Sequence, residues 1–387
     1  MMNNALHTAL FLSCCFLAHI SFGQTRDHNP HLIQSGAVSS SDQLLSASVV
    51  KDLEQDTNGQ FGGLGIVVGF REATLTVVAS MEKTPAQRAG LRSGDTIVEI
   101  DGESTQDITL SEAVAKLRGL PGTTVRLRIQ RDKSSSIENL ELSRVLIVVP
   151  SVKDTQMLEM KVGYARITQF NTRTPSELQD AIDSLTGRNA RALILDLRSN
   201  SGGLLCSAIE ISQKFLPEDA VIATLRGRDQ KVKEKLQSKG SYHNSDLSMV
   251  LLVNRGTAGA AELMAAALQE HDRAILLGES TFGMSAVQSI LPLVNGEVVQ
   301  LTTAHFYTPK GSLISDDGLK PDIEVSMPND DWLKIMLSRI DPTKHYQSQI
   351  PKDRQLEKAL AFLKDILTGG SKAKEQQRLP TTKSSVP

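Results

Sequence analysis

Residues 251–288 read LLVNRGTAGAAELMAAALQEHDRAILLGESTFGMSAVQ. The apolar run at 249–253 (MVLLV) has no polar face, which predicts a strand buried on both sides. The alanine- and leucine-rich run at 260–269 predicts a helix. Upstream, ALILDLR at 192–198 is a second continuous apolar run, and SGGLL at 201–205 turns from it into another helix. GYARI at 163–167 reads as a strand and residues 175–185 as a helix. Strands that alternate with helices build βαβ units and a parallel sheet, so residues 151–340 are α/β.

Residues 62–150 read as a separate module. LGIVV at 64–68 and LTVV at 75–78 are short β-branched runs broken by polar residues, hence strands. PAQRAGL at 85–91 is a helical turn closed by Gly90. GDTIVEIDG at 94–102 is a strand that ends in the Asp101-Gly102 turn. Leu110, Ala113, Val114 and Leu117 share one face of a helix, and VRLRI at 125–129 alternates as a half-buried strand.

These segments resemble the tail-specific, or C-terminal processing, serine peptidases. GLGI, then TPAQRAGLRSGDTIVEIDG, then a helix before LRGLPGTTVRLRI is similar to the PDZ domain of that family. The 251–288 stretch is similar to its active-site segment, S-A-S-A-S-E, a helix, and G-x-x-T-x-G-K-x-x-V-Q. The resemblance covers residues 48–368. It implies an α/β, crotonase-like protease core with a parallel-type sheet and an inserted PDZ domain. It also implies closing strands near 300–304, 307–311 and 318–322, and a terminal helix over 354–367. The implied organisation is a signal peptide at 1–23, a polar segment at 24–61, the PDZ domain at 62–150 and the core at 151–340. A C-terminal helix at 341–368 and a polar tail at 369–387 follow. The helical region that members place before the PDZ module is short here, so no assembly state is implied.

A Ser/Lys peptidase needs a hydroxyl nucleophile, a Lys whose pKa burial has lowered, and backbone N–H groups that hold the oxyanion. Aligned without gaps, the family's nucleophile falls on Gly259 and its base on Met284, while the supporting Gln is Gln288. The implied oxyanion donors are Ala260 and either Gly202 or Gly203. The family's N-P-G-G reads Asn200-Ser201-Gly202-Gly203, and its helix-end Asp is Glu270. Neither Gly259 nor Met284 carries a reacting group, and loss of a nucleophile alone costs about 10⁶ in turnover in a serine protease. Thr257, Ser285 and Cys206 are the replacement nucleophiles nearby, with His271 and His305 as the imidazoles; no Lys occurs between Arg255 and Lys310. His271 reads as a solvated helix-end residue. In the PDZ-like module the implied peptide-binding loop is Gly63, Leu64, Gly65 and Ile66, whose N–H groups would meet a peptide carboxylate.

Residues 5–22 are an apolar run that ends in Ser21-Phe22-Gly23. It reads as a secretory signal cleaved near Gly23 for export to a periplasm, or as an uncleaved anchor, since Met1–Asn4 hold no Lys or Arg. Cys14 and Cys15 leave with a cleaved signal, so Cys206 has no internal disulfide partner. A net charge of -2 and 4% aromatics give no case for nucleic acid. No His, Cys or carboxylate set has metal-ligand spacing, and no cofactor is implied. Three functions fit: a catalytically silent binder of protein C-termini or unfolded chains, a serine-type endopeptidase with a different dyad, and a scaffold for an envelope partner protein.

Overall fold

The computed structural model describes residues 43–45, 57–71, 73–131, 137–240, 247–292, 298–315, 317–340 and 351–369. The expected signal segment, nearly all of the polar segment before residue 57, and the tail beyond 369 lie outside these residues. The described chain begins with strand β1 (Gln43–Leu45) and divides into two compact units.

One unit comprises Gly59–Val149 and Asn329–Pro351. Its elements are β2 (Gln60–Gly63), β3 (Ile66–Arg71), β4 (Thr74–Ser80), α1 (Pro85–Arg88), β5 (Thr96–Ile100), β6 (Glu103–Ser104), α2 (Leu110–Leu117), β7 (Thr124–Gln130), β8 (Ile137–Ser143) and β9 (Val145–Val148). The main sheet runs β3-β4-β5-β7-β8, with β3 at an edge, and β2 pairs with β9 separately. The alternation in β7 buries Val125, Leu127 and Ile129 against Ala113 and Leu117 of α2. That helix starts where the sequence supplies a capping box. Thr109 Oγ1 accepts from Glu112 N at 3.3 Å, and the Glu112 carboxylate accepts from Thr109 N at 2.9 Å.

The other unit contains Pro150–Pro328 and the chain from Lys352. Its elements are β10 (Val152–Met157), β11 (Val162–Ile167), α3 (Thr174–Gly187), β12 (Ala192–Asp196), α4 (Leu205–Gln213), β13 (Val221–Arg226), β14 (Val232–Gln237), β15 (Ser248–Val253), α5 (Ala260–Glu270), β16 (Ile275–Gly278), β17 (Ala286–Pro292), β18 (Val298–Tyr307) and β19 (Ile323–Glu324). After α6 (Asn329–Ile340), which clusters with the first unit, α7 (Arg354–Leu367) completes it. The sequence reading placed the core at 151–340; α6 groups with Gly59–Val149.

The central sheet is ordered β10-β11-β12-β15-β16-β19, parallel except at β10. Its alternate residues face two cores. Leu193, Leu195, Leu251 and Val253 meet α3, α4 and α5, and Ala192, Ile194, Val250 and Leu252 meet Ala359 and Leu363 of α7. This two-sided cover is why the strands read as unbroken apolar runs. A second, antiparallel sheet is ordered β1-β18-β13-β14, with β17 on β18. Two expected closing strands are corrected. Beyond Tyr307 the chain makes a turn closed by Gly311 N on Thr308 O at 2.9 Å, because Pro309 has no N–H to give a ladder. Only Ile323–Glu324 pairs near the 318–322 segment.

Candidate active site

Two crossover turns meet at the carboxyl ends of β12 and β15, where open α/β sheets place their sites. Side chains tie them together. Asn254 Oδ1 accepts from Ser199 N at 2.8 Å, Thr257 Oγ1 donates to Leu197 O at 2.8 Å, and Ala258 N donates to Asn200 O at 2.9 Å. The 257–260 turn then bends sharply at Gly259, with φ 55° and ψ −120°, and α5 begins at Ala260. A residue with a Cβ adopts that conformation only under strain.

The next turn lies directly against this elbow. Gly202 has φ +101°, and a Cβ there would sit 3.0 Å from Ala260 N and 2.9 Å from Ala258 O. Gly203 has φ +124°, and a Cβ there would meet Phe170 O at 2.1 Å, so both positions require glycine. Of the two glycines, Gly202 gives its N–H to Asn200 Oδ1 at 2.9 Å. Among the described residues the N–H groups of Gly203 and Ala260 have no hydrogen-bond partner.

Glu262 holds the other side of the site, a role that sequence reading missed. It is fully buried. Its Oε2 accepts from Gly259 N at 3.0 Å and Met284 N at 2.8 Å, and its Oε1 accepts from Gly283 N at 2.7 Å and from the Thr281 hydroxyl. One carboxylate therefore fixes the elbow and the Met284 loop together. Burial pushes its pKa up against the pull of these four hydrogen bonds. The signal was the Glu at the third helical position, where a capping box reaches back to the cap. Gly259 has no side chain to return the bond.

Gln288 lies on β17 opposite Thr302, and its Oε1 accepts from Gln300 Nε2 at 2.6 Å. Below the first turn, Arg198 is buried between Asp196 and Asp353. Burial alone would depress its pKa; the two carboxylates hold it above the usual value. In the other unit, Gly65 has φ +75°, and a Cβ there would lie 2.3 Å from Thr84 Cγ2. Gly63 and Leu64 are buried and Ile66 half-buried. The N–H groups of Leu64 and Gly65 are without partners among the described residues.

Residues 161–325 match peptidase family S41, and residues 76–131 match the PDZ domain. The carboxyl-terminal-processing protease of Synechocystis sp. is 34% identical over 333 residues, which cover 85% of this chain and 73% of that protein. The chain belongs to the carboxyl-terminal-processing peptidases of family S41. The carboxy-terminal-processing protease of Bartonella bacilliformis is 38% identical over 288 residues, 73% of this S41 chain and 66% of the relative. This chain therefore spans about two thirds to three quarters of the length of those relatives. The solved structure of a Bacteroides fragilis protein assigned to the S41 proteases shares the fold. It has a TM-score of 0.54 and 18% identity, and covers 93% of this chain and 96% of that one.

The replacement nucleophiles of this S41 chain are placed as follows. Thr257 is buried, with its hydroxyl engaged by Leu197 O and Asn254 N. Cys206 is half-buried in the first turn of α4. Ser285 Oγ lies 3.2 Å from His305 Nδ1, one residue beyond Met284. His271 is half-buried rather than solvated, with Nε2 2.7 Å from Val221 O. Among the described residues no group of three His, Cys, Asp or Glu is placed to hold a metal ion.

Proposed function

We propose that this S41 chain is an exported polypeptide-binding protein that holds protein C-termini or unfolded segments without cutting them. The observation that carries the reading is Gly259. It stands in a sharply bent elbow where the family nucleophile belongs, yet has no atom to attack with. Ala260 and Gly203 supply the two unengaged N–H groups for a substrate carbonyl. Met284 replaces an ionisable base with a half-buried apolar chain, which removes the cost of desolvating a Lys. A peptide carbonyl can therefore be bound here, while no acyl-enzyme can form at residue 259. In the PDZ unit, the unpartnered N–H groups of Leu64 and Gly65 suit a terminal carboxylate, and edge strand β3 can accept an added strand.

The test compares the unmodified chain with Gly259→Ser/Met284→Lys on an unstructured protein substrate. The expected result is binding without cleavage by the first and cleavage by the second. Turnover by the unmodified chain overturns the reading.

The Ser285–His305 pair favours a second reading, a serine-type endopeptidase with a different dyad. Its weakness is that Ser285 is buried and no carboxylate among the described residues orients the imidazole. Cleavage that disappears in Ser285→Ala would establish it.

A further inference from the structure

The Arg198 cluster lies outside the chemistry above, and its geometry is directed at the same turn. Every guanidinium N–H of Arg198 is used. Nε donates to Asp196 Oδ1 at 2.9 Å and Nη2 to Asp196 Oδ2 at 2.6 Å. Nη1 and Nη2 reach Asp353 Oδ1 and Oδ2, each at 2.8 Å, and Nη1 also reaches Gln355 Oε1 at 3.0 Å. Both members of the Arg198–Asp196 pair are fully buried, and Asp353 closes the cluster from 155 residues away. Asp353 Oδ1 also caps α7 by accepting from Leu356 N at 3.1 Å.

Arg198 is the last residue before the turn. The turn that follows is tied to its neighbours by bonds of its own. Ser199 N donates to Asn254 Oδ1, Asn200 Nδ2 to Ile167 O at 2.8 Å, and Gly202 N to Asn200 Oδ1. Leu204 N then closes on Phe170 O at 2.7 Å. Arg198 thus meets the start of the C-terminal helix through its side chain and leads into the turn that presents Gly203 through its backbone.

We propose that Asp353 is a positioning residue for the candidate site. Through Arg198 it fixes the 199–203 turn, so undocking the start of α7 loosens the turn, and a ligand held at the turn tightens α7. The coupling is reciprocal, as linkage requires. It rests on the reading that this turn is part of the site, but not on whether the site cuts or only holds a peptide.

The test is hydrogen exchange on the full chain, followed over residues 199–204, over β11 and over α7. The amides of Ser199, Asn200, Gly202 and Leu204 are hydrogen-bonded and report the turn. The variants are Asp353→Ala, Asp353→Asn and Leu363→Ala. Leu363 is a fully buried α7 residue, and its truncation weakens the helix's packing without touching a member of the clasp. Asp353→Ala is expected to speed exchange at the turn at least tenfold with β11 unchanged. Asp353→Asn, which keeps an acceptor, should fall between it and the parent. Leu363→Ala should affect α7 with little change at the turn. Parent-level protection of the turn in Asp353→Ala overturns the proposal, and so does equal loosening of the turn by Leu363→Ala. If Asp353→Ala loosens β11 as well, Asp353→Asn decides. A turn then no faster than β11, each relative to parent, means a merely structural role. Peptide binding enters none of these readouts, so failure here is distinct from failure of the binding function.

Discussion

Glu262→Gln probes the group that joins the two halves of the site. The carboxylate serves four donors, two on each oxygen. A Gln amide has a single acceptor oxygen. Its better orientation leaves that oxygen with Gly259 N and Met284 N. The NH₂ then points at Thr281 and Gly283. The Thr281 oxygen already accepts from Leu319 N at 2.7 Å and has a lone pair left for the amide. Gly283 N has no such option and loses its partner. One orphaned buried donor costs about 1–3 kcal/mol. A protonated Glu262 avoids that loss, because its hydroxyl oxygen still accepts from Gly283 N. The pH dependence follows. Burial raises the folded pKa of Glu262 above the unfolded value near ~4.3. Between those two values the native chain binds more protons, so this group's contribution is complete below the unfolded pKa and is lost as pH rises through the folded one. Gln does not titrate. The deficit of Glu262→Gln relative to the parent is therefore largest at acidic pH and shrinks toward neutrality. Paired urea unfolding curves from about pH 4.5 to pH 8 measure it, and subtraction removes titrations common to both chains. A deficit that grows with pH would refute the reasoning, since it would mean the four hydrogen bonds outweigh burial.

Gly259→Ser alone forces a side chain into φ 55°, ψ −120° and is expected to cost ~1–3 kcal/mol by urea unfolding without producing turnover, because Met284 supplies no base to it. Gly203→Ala drives a Cβ into Phe170 O and is expected to lower the thermal midpoint clearly, where Gly187→Ala, with open space around it, serves as control. Gly65→Ala combines a positive φ with contact on Thr84 and should abolish the preference for a peptide with a free over an amidated C-terminus, read by isothermal titration. An unmodified chain that binds both peptides equally would exclude carboxylate capture by the 63–66 loop.

What the sequence revealed depended on how local each signal was. The helix over 354–367 was legible because Leu356, Leu360, Leu363 and Ile366 repeat at helical spacing, and the structure has the same bounds. Strands β12 and β15 were legible because cover on both faces removes every polar residue but Asp196 and Ser248. Of the second sheet only the 300–304 strand was expected, and that from the resemblance, since β14 is mostly exposed and β13 and β18 pair across some eighty residues. The site divided in the same way. Gly202 and Gly203 were read in a turn from the local sequence, whereas Gly259 was singled out through the family resemblance. Nothing local marks Asp353 as the partner of Arg198, or Glu262 as the acceptor for a loop twenty-one residues on.

If the site binds without cutting, as proposed, that division explains how its shape can stand without the reacting groups. A hydroxyl at residue 259 and an ammonium at residue 284 would react, but neither would be needed to hold the turns. Asn254, Asn200, Thr257 and Glu262 make the cross-ties, and three of the four bonds to Glu262 come from N–H groups of the backbone. Any residue but proline at 259 or 284 leaves those backbone donors in place. Glycine at 259 also relieves the strain that a serine would bear in the elbow. On the proposed binding reading, the two positions give up reactivity for a relaxed frame, and the frame has unengaged N–H groups at Ala260 and Gly203. A substitution that breaks a cross-tie, such as Asn200→Ala, should consequently harm peptide binding more than any change at 259 or 284 does.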